Sequence, residues 1–332
     1  MIDAEQAVTR PSEFFGQRHL VRRIYSRIAA ERPQSVALIG GRKVGKTSLL
    51  SYIAHPDVQK EYLPEGARCT LIPVRCEQDS ELTVETFIGR LARMVSEQEP
   101  ASGEGYPALQ RAVEEAHQAG RSLVCILDDF HFITRSPNFP LEFFSFLRSL
   151  ANNFNLAYVT SSFLELQKLC VAKDIEESPF FNIFTNVSLG LLGRADAEAL
   201  LAGLTGWDGT TVSAVVGWAG PHPYLLKLIA REAGTEPPPP GAFAALFLPL
   251  FKEYFSLILA LLPRDAWKPL KELGKGKQVD MRDVHYLKPL IRHRFLTEEE
   301  EAIGFFSEAF AAFVRDQASP DLLKGEDFVN HE

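Results

Sequence analysis

Residues 40–47 read Gly-Gly-Arg-Lys-Val-Gly-Lys-Thr, a G-x-x-x-x-G-K-[ST] run, and no other stretch constrains the 332-residue chain as strongly. Glycines let a backbone close around an anion and turn successive N–H groups inward. The apolar run 35–39 (SVALI) precedes the loop and reads as a buried parallel strand; residues 47–53 read as a helix. That strand–loop–helix order is the context that gives the motif its meaning, with the helix N-terminus adding a positive dipole end. The expected ligand is a nucleotide. Gly40, Gly41, Arg42, Lys43, Val44, Gly45, Lys46, Thr47 and Ser48 are its candidate binding residues. Lys46 is expected to reach the β- and γ-phosphates, and the Thr47 hydroxyl to ligate Mg²⁺.

A second strand is expected at 70–74, at a sheet edge because Pro73 lacks a ladder donor. A third, 123–127 (LVCIL), runs into Asp128 and Asp129. Acids at the C-terminal end of a parallel strand face the ligand crevice. Asp128 is the candidate Mg²⁺ carboxylate, and Asp129 the candidate group that orients or deprotonates the attacking water. A fourth strand, 156–160, ends in Thr160-Ser161-Ser162, where a hydroxyl could meet the γ-phosphate or serve only the turn. A fifth includes 187–189. Helices are expected at 17–30, over the Phe87/Leu91/Met94/Val95 face, at 108–118, at 141–150 and, briefly, at 163–170. Strand and helix alternate to residue 190, so the fold class is α/β with a doubly wound parallel sheet.

Beyond 190 the pattern turns helical, at 195–204 and 224–233. The run Glu236-Pro237-Pro238-Pro239-Pro240-Gly241 reads as a stiff linker. Helices follow at 243–261, about 264–273 and about 281–293, with Pro289 expected to kink or shorten the last. Residues 295–314 fit a short hairpin and a closing helix. The expected division is 1–190 core, 191–236 helical lid, 237–316 winged-helix domain and 317–332 flexible tail.

Composition sets the surroundings. Net charge is −8, so no basic field covers the whole molecule. Lys252 and Glu253 sit within the longest apolar stretch, 242–262, which argues for a core helix over a membrane span. The four cysteines show no C-x-x-C or metal spacing and read as reduced thiols. The N-terminus has no leader signature, and a cytoplasmic location is the expectation.

Taken together, these motifs resemble the STAND class, the signal-transduction ATPases with numerous domains, and the similar archaeal and bacterial AAA-like P-loop (ASCE) NTPases. The resemblance spans about residues 13–316. Phe14-Phe15-Gly16-Gln17-Arg18 is similar to the family's box ahead of the phosphate loop, which places Phe15 near the base. Gly220-Pro221-His222-Pro223 resembles the G-x-P motif before a lid helix, which implies that His222 and Pro223 lie against the adenine. The stretch 178–184 and the 305–310 run (FFSEAF) resemble the approach to the fifth strand and the end of the family's winged helix. The resemblance implies ATP/ADP with Mg²⁺, a nucleotide-dependent switch, and assembly into homo-oligomers. It also implies a role in prokaryotic defence or regulation. No sensor repeats or effector domain are evident in the sequence, so a protein partner is expected. From Ser161 to Gly193 there is no Arg. An arginine finger is worth several orders of magnitude in turnover, so slow intrinsic hydrolysis is expected. Arg135 or Arg148 could act across a subunit interface, and structural salt bridges account for them equally well.

A DNA-associated AAA-like ATPase, an initiator or transposition-type loader, is the second reading. Between Arg264 and Arg294 nine Lys or Arg face four Asp or Glu, with Arg282, His285, Lys288 and Arg292 along the expected third helix. Glu298-Glu299-Glu300-Glu301 stands where a wing would approach phosphate and opposes that contact.

Overall fold

The computed structural model describes residues 3–76, 82–98, 101, 103–239, 241–299 and 302–325. The chain forms two compact units, Ala7–Leu189 and Gly190–Glu332 together with Met1–Gln6.

The first unit holds strands β1 (Ser35–Ile39), β2 (Cys69–Arg75), β3 (Ser122–Asp128), β4 (Leu156–Ser162) and β5 (Phe184–Ser188). Its helices are α1 (Arg18–Ile28), α2 (Lys46–Ala54), α3 (Pro56–Tyr62), α4 (Val84–Ser96), α5 (Gly105–Gln118), α6 (His131–Arg135), α7 (Leu141–Asn153) and α8 (Lys173–Glu176). The strands form one parallel sheet in the order β2-β3-β4-β1-β5. β2, with Pro73, is the expected edge strand. The short apolar runs of β1, β3 and β4 are buried almost throughout, as strands covered on both faces must be. Phe87, Phe139, Phe143 and Phe144 form an edge-to-face aromatic cluster, and Phe180 packs on Phe144 with its ring tilted.

Two elements depart from the sequence pattern. The helix expected at 163–170 is only a 3-10 turn, Leu166–Leu169. Phe163, Leu164, Leu166 and Leu169 are all buried, more sides than a one-faced helix can turn inward, and Ser162 Oγ donates to the Leu164 carbonyl at 2.5 Å. The α3 helix was not legible as apolar periodicity. His55 caps it and Pro56 opens it, so it is specified by its end rather than its face.

The second unit holds α9 (Arg194–Thr205), α10 (Gly209–Ala219), α11 (Pro223–Ala233), α12 (Phe243–Ala260), α13 (Trp267–Gly274), α14 (Val284–Arg292), the antiparallel hairpin β6 (Leu296–Glu299) and β7 (Ala302–Phe305), and α15 (Glu308–Asp316). Sequence reading missed α10. Its Thr- and Val-rich run has weak helix propensity, but the Asp208 carboxylate accepts from Thr210 N–H and Thr211 N–H and nucleates it. α14 runs through Pro289 to Arg292 rather than ending early. It starts only at Val284, which leaves Arg282 outside it.

Pro237, Pro238 and Pro239 of the proline run lie inside this unit, and Pro240 lies outside the described residues. Gly220, before α11, fits against Phe306 and Ser307 so closely that a Cβ there would stand 2.8 Å from both. His222 and Tyr254 share a 2.8 Å hydrogen bond across the same seam. α12 is long and apolar enough for a membrane span, with 44% of that window buried. Phe247, Phe251, Phe255 and Ile258 fill the unit's core instead, with Phe255 against Phe310 and Phe313 of α15. The tail expected to fray is held as far as Gly325. Leu323 is buried, and Gly325 N–H donates to the Leu262 carbonyl at 2.8 Å. Residues 326–332, and Glu300 and Glu301 of the acidic run, lie outside the described residues.

Candidate functional site

All five strands of the sheet are parallel, so the loop after β1, the acids ending β3 and the hydroxyls ending β4 emerge at one sheet edge. β4 lies between the other two. Its Ser161 is level with Leu38 on β1, and Thr160 is level with Leu127 on β3. At about 4.8 Å per strand the acidic pair stands about 10 Å across from the start of the loop.

The loop is built for close approach. Lys43 has φ +58° and Gly45 has φ +104°, two left-handed positions that reverse the chain ahead of α2. A Cβ on Gly40 would lie 2.8 Å from the Leu189 carbonyl oxygen and 3.1 Å from Val44 Cγ2, so only glycine fits. Val44 is buried and anchors the loop, while Arg42 is half-buried and Lys43 is exposed. Lys46 begins α2, and its Nζ donates to the Gly40 and Gly41 carbonyls, both at 3.0 Å. The ammonium is thereby held over the loop by carbonyl groups. Gly41 is buried; Thr47 and Ser48 are half-buried in the first turn of α2, and Ser48 Oγ accepts from Val8 N–H at 3.1 Å. Phe14 stacks on Tyr52 of α2 with centroids 4.3 Å apart. Half-buried Phe15 is followed by two left-handed residues, Gly16 and Gln17, that turn the chain into α1.

Ser161 organises the acids. Its hydroxyl donates to Asp128 Oδ1 at 2.6 Å and accepts from Asp129 N–H at 2.7 Å. Asp128 is buried at 7% exposure. Asp129 has φ +53°, a left-handed position that Asp tolerates better than most residues, and its side chain is 40% exposed. One acid is thus enclosed and fixed while the other is presented. Of the two neighbouring hydroxyls, Ser162 is committed to the Leu164 carbonyl, and Thr160 Oγ1 is buried without a hydrogen-bond partner.

Sequence reading gave no place at the site to two neighbours. His131 is 3% exposed, with its ring against Phe132 and Phe163, and its Nδ1 lies 3.8 Å from Asp129 Oδ1. Its position two residues after the acid was the available signal. The Cys76 thiol is pushed well up by burial and then by the Asp128 and Asp129 charges, which keeps it protonated.

Oxygen donors, a hydroxyl at Thr47 and a carboxylate at Asp128, suit a hard divalent cation. Among the described residues no group of three or more His, Cys, Asp or Glu could hold a metal alone.

His222 and Pro223 belong to the second unit. The His222 ring is 0% exposed, enclosed by Tyr254, Phe295 and Phe306. Desolvation lowers its pKa to about 3, so it is neutral. In this arrangement its ring offers no surface to a ligand, whereas Pro223, first residue of α11, is half-buried.

A glycine-bearing loop between β1 and α2, the strand order β2-β3-β4-β1-β5 and acids at the end of β3 make up a P-loop ATPase fold. The Walker-type ATPase PABY2304 of Pyrococcus abyssi superposes with a TM-score of 0.57 at 14% identity, over 93% of this chain and 98% of that one. The ORC2 protein of Aeropyrum pernix, solved with ADPNP and ADP, superposes with a TM-score of 0.58 at 13% identity, over 95% of each chain. No protein of curated function matches the sequence. The model of the family Novel STAND NTPase 2 matches residues 30–217, more than half of the chain, and the protein belongs to that family.

Proposed function

We propose that the protein is an ATP-binding, slowly hydrolysing switch of the STAND type that acts with a protein partner in prokaryotic defence or regulation. One observation carries the reading. Lys46, held on the Gly40 and Gly41 carbonyls, shares a sheet edge with a carboxylate pair fixed by Ser161. The backbone of residues 40–47 and Lys46 take the phosphates. Thr47 and Asp128 are the residues that would hold Mg²⁺, which supplies charge neutralisation on the phosphate oxygens. Asp129, the exposed acid, orients the attacking water and takes its proton. Phe15, at the entry to α1 in the unit that carries the loop, is assigned to the base. Slow turnover follows from the lack of any Arg between Ser161 and Gly193. The switch itself is the bias that a bound triphosphate places on an existing conformational equilibrium, read out by the partner or by homo-oligomer assembly.

Calorimetric titration tests the site. Lys46→Ala is expected to abolish ATP and ADP binding. Asp129→Ala is expected to bind as wild type and to release phosphate at least about tenfold more slowly. Equal ATP affinity in wild type and Lys46→Ala overturns the assignment.

The DNA-associated reading keeps one observation in its favour. On and beside α14, Lys288, Arg292 and Arg294 are exposed cations. Others of the nine are already engaged. Arg282 is tied to Asp280 at 2.7 Å, and Lys275 and Lys277 are tied to Glu272. The switch reading therefore leads.

A further inference from the structure

The outer face of α1 is chemically unlike the rest of this acidic chain. Its eleven residues hold four arginines and a histidine and no acid, whereas the whole chain has 35 Lys or Arg against 43 Asp or Glu. At about 100° per residue, Arg18, Arg22, His19, Arg23 and Arg27 fall in that angular order across about half the helix. Leu20, Ile24, Ile28, Val21 and Tyr25, all buried, fill the other half. Arg18, His19, Arg22 and Arg23 are exposed. The guanidinium groups of Arg22 and Arg23 make no hydrogen bond or ion pair among the described residues, and Arg27 donates to Gln34 at 2.8 Å. The nearest acids in sequence do not neutralise the face. Glu13 is tied to Arg10 at 2.6 Å, and Glu31 lies beyond the helix end.

Helix electrostatics do not account for this arrangement. A cation in the first turn opposes the helix dipole, and Arg18–Arg22 and Arg23–Arg27 are like-charge pairs at i,i+4, which weaken a helix. A local rule broken with no visible internal gain points to an external use. The face also lacks what a folded protein partner needs. Among the described residues the large exposed apolar side chains are Val171, Leu246 and Met281, none of them on α1. Without an aromatic or aliphatic anchor it cannot form the dry core of a protein interface or insert into a bilayer. What remains is a set of guanidinium forks about one helical turn apart, about 6 Å, close to the spacing of successive phosphates along a strand.

We propose that the outer face of α1 docks on the sugar-phosphate backbone of duplex nucleic acid, without reading sequence. The proposal is independent of the nucleotide site and of the cations on α14. The test is fluorescence anisotropy of the full chain with two unrelated duplexes of about 30 base pairs, from about 50 to 200 mM NaCl. Four arginine–phosphate contacts give a slope of log K against log salt near −3.6 at about −0.9 per contact, the same for both sequences. Arg22→Gln/Arg23→Gln is expected to weaken binding about tenfold and to make the slope about 1.8 shallower. The charge-keeping Arg22→Lys/Arg23→Lys is expected to retain most of the affinity. ATP affinity, measured on the same samples, is expected to stay at the wild-type value, which separates a lost docking face from a misfolded chain or an absent nucleotide site. Lys288→Gln/Arg292→Gln on α14 is the comparator. The proposal is overturned by no binding at the lowest salt, by equal binding of Arg22→Gln/Arg23→Gln, or by a loss confined to the α14 variant. Polyglutamate or anionic vesicles competing as well as duplex at equal charge overturn it too.

Discussion

Removing the Ser161 hydroxyl tests the geometry of the acid pair most directly. Ser161→Ala deletes a 2.6 Å bond to a buried carboxylate and a 2.7 Å bond from the Asp129 N–H. A buried hydrogen bond to a charged group is worth about 1.5–3 kcal/mol, and the stranded N–H adds about 1 kcal/mol. Relaxation and water entry recover part of that, so the expected loss is about 3 kcal/mol. At roughly 2–4 °C per kcal/mol for a unit of this size, the melting temperature drops by about 6–12 °C. The Asp129 backbone, no longer pinned at φ +53°, is free to leave the left-handed region, and the presented carboxylate moves with it. Phosphate release should therefore fall about 10- to 100-fold, the usual range for a lost outer-shell partner. ATP affinity, which the proposed function assigns to the loop after β1, should change far less. Ser161→Thr keeps the oxygen and should recover most of the rate. The assays are calorimetric melting and a phosphate-release assay on the same preparations. An Ala variant that melts and hydrolyses like wild type refutes the reasoning. One that loses stability but keeps its rate would leave Ser161 a packing residue only.

Three further outcomes are expected. Gly40→Ala places a Cβ 2.8 Å from the Leu189 carbonyl, a backbone atom that cannot swing away, and should cost at least about tenfold in ATP affinity by titration. Gly220→Ala meets Phe306 and Ser307 at 2.8 Å in a φ +80° backbone and should destabilise the second unit by about 3 kcal/mol or more, read by denaturant unfolding. The buried His222, with its pKa lowered from 6.5 to about 3, binds a proton only when unfolded across that interval. Stability should thus fall as pH drops below about 6.5, by about 2 kcal/mol at pH 5, and His222→Gln should flatten that part of the profile.

Much of the fold was legible because its signals are short-range. The apolar run 35–39 is β1 as read, and the reading at 123–127 lies wholly within β3. Pro73 announced the edge strand, since it has no donor for a second neighbour. What escaped depends on end chemistry or on tertiary demand. α10 is set by the Asp208 cap against a β-branched run. The 163–170 segment has helical spacing but must bury residues on every side. That Gly220 and His222 pack against residues of α12, the hairpin exit and α15 is a long-range fact with no periodic trace.

The site divides along the same line. The proposed cradle for phosphate is a local object, eight consecutive residues in which glycine, lysine and threonine must stand at fixed offsets, so a single sequence is enough to propose it. The acid pair is local too, and its placement at a strand end was readable. What gives the two acids different roles is not. Asp128 is enclosed and Asp129 presented because a hydroxyl from another strand, 33 residues on from Asp128, donates to one and receives from the other. The sequence shows Thr160-Ser161-Ser162 as three equivalent hydroxyls. Only the pleat, which sends Ser161 to the side of Asp128 and its neighbours to the opposite face, decides which of them holds the acids. A one-residue slip of β4 against β3 would keep every motif and exchange that hydroxyl for a neighbour aimed the other way, so strand register belongs to the proposed site as much as the loop does.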